Sequence, residues 1–116
     1  TKVDLRDGGG ATIFSWYCFF ARIEPAFGKL LIDHGANVLV IDDSGYTTLM
    51  HAARGGSLER VKFVIANLPS WMENDAKYLA RFLNAKTLEG NSALQLAMEK
   101  EATDVVAYLK TIGAKD

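Results

Sequence analysis

Three stretches of the chain follow one grammar, and a recurrence of this kind restricts the fold more than any single motif. They are Gly10-Ala11-Thr12-Ile13-Phe14, Gly45-Tyr46-Thr47-Thr48-Leu49 and Gly90-Asn91-Ser92-Ala93-Leu94. Each reads glycine, any residue, a hydroxyl residue, a small or β-branched residue and a large apolar one. Each is followed by an apolar pattern of helical period, a polar break and a second such pattern.

The middle copy shows why. Asp42-Asp43-Ser44-Gly45 is turn chemistry, an acceptor side chain opening the turn and a glycine free to take positive φ. Thr47 stands where a helix N-cap belongs. Leu49, Ala52 and Ala53 then share one face, with alanines small enough for close helix approach. Gly55-Gly56 stops this short helix. A second one follows from Ser57, with Leu58, Val61, Val64 and Ile65 at helical spacing. The third copy repeats this from Ser92, breaks at Lys100-Glu101 and closes at Gly113-Ala114. The first starts at Thr12, breaks near Glu24-Pro25 and closes at Gly35-Ala36. A helix pair of this size cannot bury its apolar face alone and must stack on a neighbour.

These residues resemble the ankyrin repeat, a unit of about 33 residues that opens Asp-x-x-Gly-x-Thr-Pro-Leu-His and continues Ala-Ala-x-x-Gly, Val-x-x-Leu-Leu and Gly-Ala. The middle copy matches at Asp42, Gly45, Thr47, Leu49, Ala52, Ala53, Gly56, Val61, Val64 and Ile65. The third matches at Gly90, Ser92, Leu94, Ala97, Val106, Leu109, Gly113 and Ala114, and the first at Asp7, Gly10, Thr12, Leu31, Ile32, Gly35 and Ala36. The resemblance implies an all-α fold, a solenoid of helix-turn-helix units joined by β-hairpin loops. It divides one domain, 1–116, into repeats of about 4–37, 38–83 and 84–116. The chain starts at Thr1 without an initiator Met, so it is expected to be a piece of a longer protein.

Departures from the pattern carry their own expectations. Ile13, Thr48 and Ala93 stand where the family usually has proline, and Ser15, Met50 and Gln95 where it usually has histidine. That predicts loss of the hydrogen bond the histidine lends to the turn, with stability leaning more on packing. Ala21 and Glu101 replace the glycine between the two helices, at a cost of about 1 kcal/mol each if the backbone there is left-handed. The first copy is about two residues longer between its helices, which predicts a looser link over Ala21–Pro25. Between the second and third copies lies an insertion of about a dozen residues, near 68–82. Ser70-x-x-Glu73 after Pro69 is a capping-box pattern, and Met72, Ala76, Leu79 and Leu83 recur at helical spacing. A lengthened outer helix or an extra short one is expected.

No catalytic or cofactor chemistry is expected from the residue types. His34 and His51 lie apart from any zinc-type spacing, so no metal site is predicted and both are read as structural. Gly8-Gly9-Gly10 lacks the Lys-Ser/Thr and the preceding strand of a phosphate loop. Ser44-Gly45 is not a nucleophile elbow. Cys18 is the one cysteine, so no internal disulfide can form, which suits a reducing compartment. The net charge of −1 gives no general attraction to nucleic acid or anionic membrane. The longest apolar stretch, Ala11 to Ile23, is too short to span a bilayer and lacks the features of a signal peptide. An intracellular, cytoplasmic protein is expected; the nucleus fits equally, as does the host cytosol for a secreted effector.

What remains is binding. In ankyrin stacks the hairpin tips and inner helices line a concave face where partner proteins dock, as the resemblance implies. Carried over by position, the contact residues are Asp43, Ser44, Tyr46, Arg54 and Gly55 in the middle copy. The third copy supplies Leu88, Glu89, Asn91, Glu99 and Lys100, and the first Gly8, Gly9, Ala11, Phe19 and Phe20. Tyr46 and Arg54 are the expected hot spots, since aromatics and arginine dominate such interfaces. The aromatic crowd Trp16, Tyr17, Phe19 and Phe20 reads in two ways: helix sides buried against an upstream repeat or domain, the preferred reading, or an exposed partner patch. Trp71, Tyr78 and Phe82 divide evenly between local packing and partner contact, and Trp71 joins the candidate set. The expected function is a protein–protein interaction module within a larger adaptor, scaffold or effector. The alternative is a non-catalytic targeting or regulatory part of an enzyme whose catalytic domain lies elsewhere.

Overall fold

The structure, a computed structural model, describes residues 2–115. Thr1 and Asp116, the outermost positions of the expected domain, lie outside the described residues. After a 3-10 turn at Lys2–Asp4 come α1 (Ile13–Phe19), α2 (Pro25–Asp33), α3 (Thr48–Gly55), α4 (Leu58–Ala66), α5 (Ser70–Glu73), α6 (Ala76–Leu83), α7 (Ala93–Glu99) and α8 (Thr103–Thr111). The inner helices α1, α3 and α7 lie side by side with α3 in the middle, and α2, α4 and α8 back them. The fold is the expected all-α stack. Among the described residues the only β pairing is two isolated antiparallel bridges, Ile41–Thr47 and Lys86–Ser92, at the bases of two hairpins.

Local chemistry accounts for each inner helix. The hydroxyls of Thr12, Thr47 and Ser92 accept from the backbone amides of Ser15, Met50 and Gln95 at 3.3, 3.2 and 3.2 Å, the N-cap bond that occupies an orphan helical donor. Phe14, Leu49 and Leu94 occupy the same register position in the three copies and are wholly buried, as are the small Ala52, Ala53 and Ala97. Those alanines let α3 approach a neighbour on both sides.

The expected loss of the histidine's hydrogen bond needs correction. Gln95 Oε1 accepts from the Ser92 amide at 2.9 Å, and the Met50 sulfur accepts from the Thr47 amide at 3.4 Å. Both replacements are long enough to reach back and close a reciprocal cap. Ser15 is too short to do so; its hydroxyl lies 3.4 Å from that of Thr12.

The hairpins share one construction. Asp7 Oδ1 accepts from the amides of Gly9 and Ala11, and Asp42 Oδ1 from those of Ser44 and Tyr46. Thr87 Oγ1 accepts from the Asn91 amide. The turn glycines Gly10, Gly45 and Gly90 take φ of 81°, 84° and 87°, a region that disfavours any side chain. Neighbouring tips are joined directly, Asp43 N–H to Gly9 O at 2.9 Å and Leu88 N–H to Ser44 O at 3.0 Å.

The two missing inter-helix glycines meet different fates. Glu101 does adopt the left-handed conformation, with φ 61°, and bears the steric cost of about 1 kcal/mol. Ala21 does not, because the longer first link takes another path held from outside. Arg60, wholly buried on α4, donates from Nη1 to Tyr17 O at 2.9 Å and from Nη2 to Ala21 O at 3.3 Å, and also to Ile23 O. One side chain thus satisfies the carbonyls at the end of α1 and through the expected loose link. Its guanidinium lies 3.7 Å from the centroid of the Tyr17 ring, and Tyr17 Oη donates to Pro25 O at 2.9 Å. Tyr17 fills the position held by Ala52 and Ala97 in the other copies. Gly28 makes room for it, since a Cβ there would fall 2.3 Å from the ring.

The insertion folds as two short helices rather than one. The expected capping box does not form: Pro69 precedes α5 with no side-chain cap, and the cap lies further on, where Asp75 Oδ1 accepts from the Lys77 amide at 3.1 Å. Met72 and Leu83 are buried, whereas Trp71 and Tyr78 are exposed and meet edge to face.

Replacing Arg60 by Met should keep the aliphatic volume yet leave three carbonyls without a donor, and should cost about 3 kcal/mol. Urea denaturation measures this directly. A loss below about 1 kcal/mol would mean that the link does not depend on Arg60.

Candidate partner-binding face

The hairpin tips and the outward edges of α1, α3 and α7 form one recessed face. Its first hollow, about 240 Å³, lies between the first two hairpins and is lined by Asp7, Gly9, Ala11, Trp16, Asp42, Ser44, Tyr46, His51 and Arg54. The second, about 450 Å³, is lined by Tyr46, Arg54, Glu89, Asn91, Leu96, Glu99 and Lys100. A third, about 250 Å³, runs along Phe19, Phe20, Ala21, Arg22, Gly55 and Lys100. Tyr46 and Arg54 are common to the first two and form the wall between them.

That wall is a stack of four side chains. The Arg54 guanidinium carbon lies 4.2 Å from the Phe19 ring centroid and 4.8 Å from that of Tyr46. Tyr46 in turn stacks on the His51 ring, centroids 5.1 Å apart. Such cation–π contacts contribute about 0.5–2 kcal/mol each, more as water is excluded. They also hold a long, flexible side chain in one place. Arg54 forms no ion pair or hydrogen bond with any described residue, and its Nε is enclosed without a partner.

His51 Nε2 lies 3.0 Å from Asp42 Oδ2. Burial is the main influence on the ring and lowers its pKa despite the aspartate, with Arg54 adding to the effect. The ring is therefore neutral at neutral pH, its Nε2–H donating to Asp42, and Nδ1 is enclosed with no partner. An aspartate–histidine pair can serve acid–base chemistry, but no described hydroxyl or thiol is hydrogen-bonded to Nδ1. At the first tip, the Trp16 indole N–H donates to Asp7 Oδ2 at 2.8 Å. That bond, followed by those from the Gly9 and Ala11 amides, holds the Asp7 pKa below its usual value. Cys18 is fully buried, and burial pushes its pKa well up, so the thiol stays protonated and inert. Among the described residues no three His, Cys, Asp or Glu side chains gather as a metal site would require.

The sequence-predicted residues divide into three groups. Gly9, Ala11, Ser44, Tyr46, Arg54, Gly55, Glu89, Asn91, Glu99, Lys100, Phe19 and Phe20 line the three hollows, and Gly8 lies exposed outside them. Asp43 and Leu88 sit exposed at the hairpin tips beside them. Trp71 lies apart on the insertion, against Tyr78. His51, Leu96, Asp7 and Asp42 line the face without having been assigned to it. Their signal was register: His51 and Leu96 hold the position that Trp16 holds in α1.

The aromatic helix α1 is buried on one side only, which both readings of its aromatic residues allow. Phe14, Tyr17 and Cys18 are buried, but Ile13, Trp16 and Phe20 are exposed. Phe19 faces Arg54 of the next copy, and Trp16 stacks on Phe20 with centroids 5.5 Å apart. A further hollow, about 690 Å³, is lined by Met98, Glu101, Thr103, Val106, Ala107 and Lys110 on the last helix pair.

Helix pairs stacked in series, with a ridged face of arginine and aromatic rings across the hairpin side, define a repeat-type binding scaffold. A family model described as ankyrin repeats (3 copies) matches residues 24–116. The chain belongs to the ankyrin-repeat family, whose repeats are generally protein–protein interaction modules and typically non-catalytic. The match begins beyond α1, the inner helix that departs most from the pattern. A search of curated proteins finds no match.

The lowered His51 pKa has a defined consequence. As pH falls below about 6.5 the unfolded chain takes up the proton before the folded one, so stability is lost toward acid pH. Urea titrations between pH 7.5 and 5 should show a steeper fall for the native chain than for His51→Gln. Equal slopes would contradict a neutral, buried ring.

Proposed function

We propose that this chain holds a partner protein across the hairpin tips and inner helices, as one segment of a larger adaptor, scaffold or effector. The observation that carries this reading is the wall Phe19–Arg54–Tyr46–His51. Arginine and tyrosine are the residues most enriched at binding hot spots, and here they are already fixed in place. Ordering them on binding therefore costs little entropy. Asp43, Ser44, Leu88, Glu89, Asn91, Glu99, Lys100 and Phe20 form the surround in this reading.

The division into repeats of about 4–37, 38–83 and 84–116 belongs to the same proposal, supported by the three like turns and caps. So does an upstream repeat or domain, which would cover the open side of α1 at Ile13, Trp16 and Phe20. Phe19 is left out of that contact because Arg54 already covers it. An intracellular setting suits the lone, buried thiol of Cys18. No described helix is long and apolar enough to cross a membrane.

The test begins with affinity capture and mass spectrometry to recover a partner, followed by calorimetric titration. Tyr46→Ala combined with Arg54→Ala should weaken binding at least tenfold, about 1.4 kcal/mol, while the circular dichroism spectrum stays native. Unchanged affinity would remove this face from the account.

A further inference from the structure

We propose that the Arg54 guanidinium is a preformed carboxylate site, and that the partner docks by laying an internal acidic side chain against it. This rests on the reading that a protein occupies the recessed face, and goes on to name the chemistry of its central contact. The guanidinium's central carbon lies over two aromatic rings, 4.2 Å from the Phe19 centroid and 4.8 Å from that of Tyr46. The N–H donors of a guanidinium packed on rings lie in its own plane, as a fork that fits a carboxylate.

No described residue takes those donors. Asp42 lines the same hollow as Arg54, but it already accepts from the Ser44 and Tyr46 amides and from His51. Glu89 and Glu99 line the second hollow with Arg54 yet form no ion pair with it. Their side chains lie exposed. The Nε of Arg54 is meanwhile enclosed with no partner. Part of the desolvation that binding a charge requires has therefore already occurred on folding. Wholly buried Arg60, one helix away, gives its donors to three carbonyls, whereas half-buried Arg54 gives none to the protein. Arg54 is held firmly and left without an acceptor.

The surroundings narrow the ligand. A phosphoryl group brings nearly two negative charges, and Glu89 and Glu99 in the second hollow repel it more than they repel a single carboxylate. A carboxylate brings one. Phe20 and Trp16 are exposed beside the site, so an apolar residue near the acid in the partner has a surface to cover.

The probe is a random twelve-residue peptide library selected on the whole chain, with hits resynthesised bearing amidated C-termini. Selected peptides should be enriched in Asp or Glu. Changing the shared acid to its amide, or Arg54→Met in the protein, should each weaken binding at least tenfold. The two losses should not add when combined, as expected if both remove one contact. Arg54→Lys should restore only part of the affinity. Peptides that depend on Tyr46 but show no acidic preference and bind Arg54→Met equally well would overturn the carboxylate site while leaving the docking face intact. Peptides indifferent to both Tyr46→Ala and Arg54→Met, or a selection yielding no binder, would overturn both.

Discussion

A pair of helices each seven to nine residues long exposes too much apolar surface to be stable in water, and everything else in this molecule follows from that constraint. Isolated helices of this length are marginal even with favourable sequences. Each inner helix must be buried by the next one. α3 is the clearest instance, with α1 on one flank, α7 on the other and α4 behind. Its wholly buried alanines, Ala52 and Ala53, permit that closeness. The hairpin tips add direct bonds between copies, through Gly9 with Asp43 and Ser44 with Leu88. Stacking brings three short turns into one row along the hairpin side.

The first copy keeps the arrangement with different parts. Tyr17 is much larger than the alanine its register position holds elsewhere, and the space comes from Gly28. The lengthened link after α1 would leave carbonyls without donors, and Arg60 reaches across from the second copy to bind them. That guanidinium is desolvated, with only the exposed Glu59 carboxylate near its Nε at 3.8 Å. Its position is defined by three acceptors and the face of Tyr17. Two arginines six residues apart thus take opposite roles. Arg60 spends its donors inside the fold, whereas Arg54 forms no ion pair or hydrogen bond with any described residue.

Much of this was legible in the sequence because it is local. Caps at Thr12, Thr47 and Ser92, and turns through Gly10, Gly45 and Gly90, depend on residues within a few positions of one another. The register of Phe14, Leu49 and Leu94 follows from helical period. The candidate face was assigned by the register that the resemblance supplies, which named Tyr46 and Arg54 but not the packing of one on the other. What was illegible depends on distant residues. The bond from Arg60 to Tyr17 spans 43 positions, and nothing near Arg60 in sequence distinguishes it from an exposed helical arginine. Met50 and Gln95 closing the cap in place of histidine depends on side-chain reach, which residue class alone does not reveal. Ser70 looked like a cap because its spacing to Glu73 was right, but α5 stops after one turn, and Asp75 supplies the cap that stabilises α6. Trp71 lies within that insertion, against Tyr78.

Native-state hydrogen exchange tests the serial stack most directly, because protection reports how much neighbouring structure must open before an amide is released. The backbone amides of α3 should be the slowest in the chain, exchanging only through global unfolding. Those of α1 and α7 should come next, and those of α5 and α6, which pack mainly on each other, should be the fastest of the helical amides. A ranking in which α5 and α6 match α3, or in which the terminal pair α7 and α8 outlasts it, would show that the centre of the stack is not what holds the molecule together.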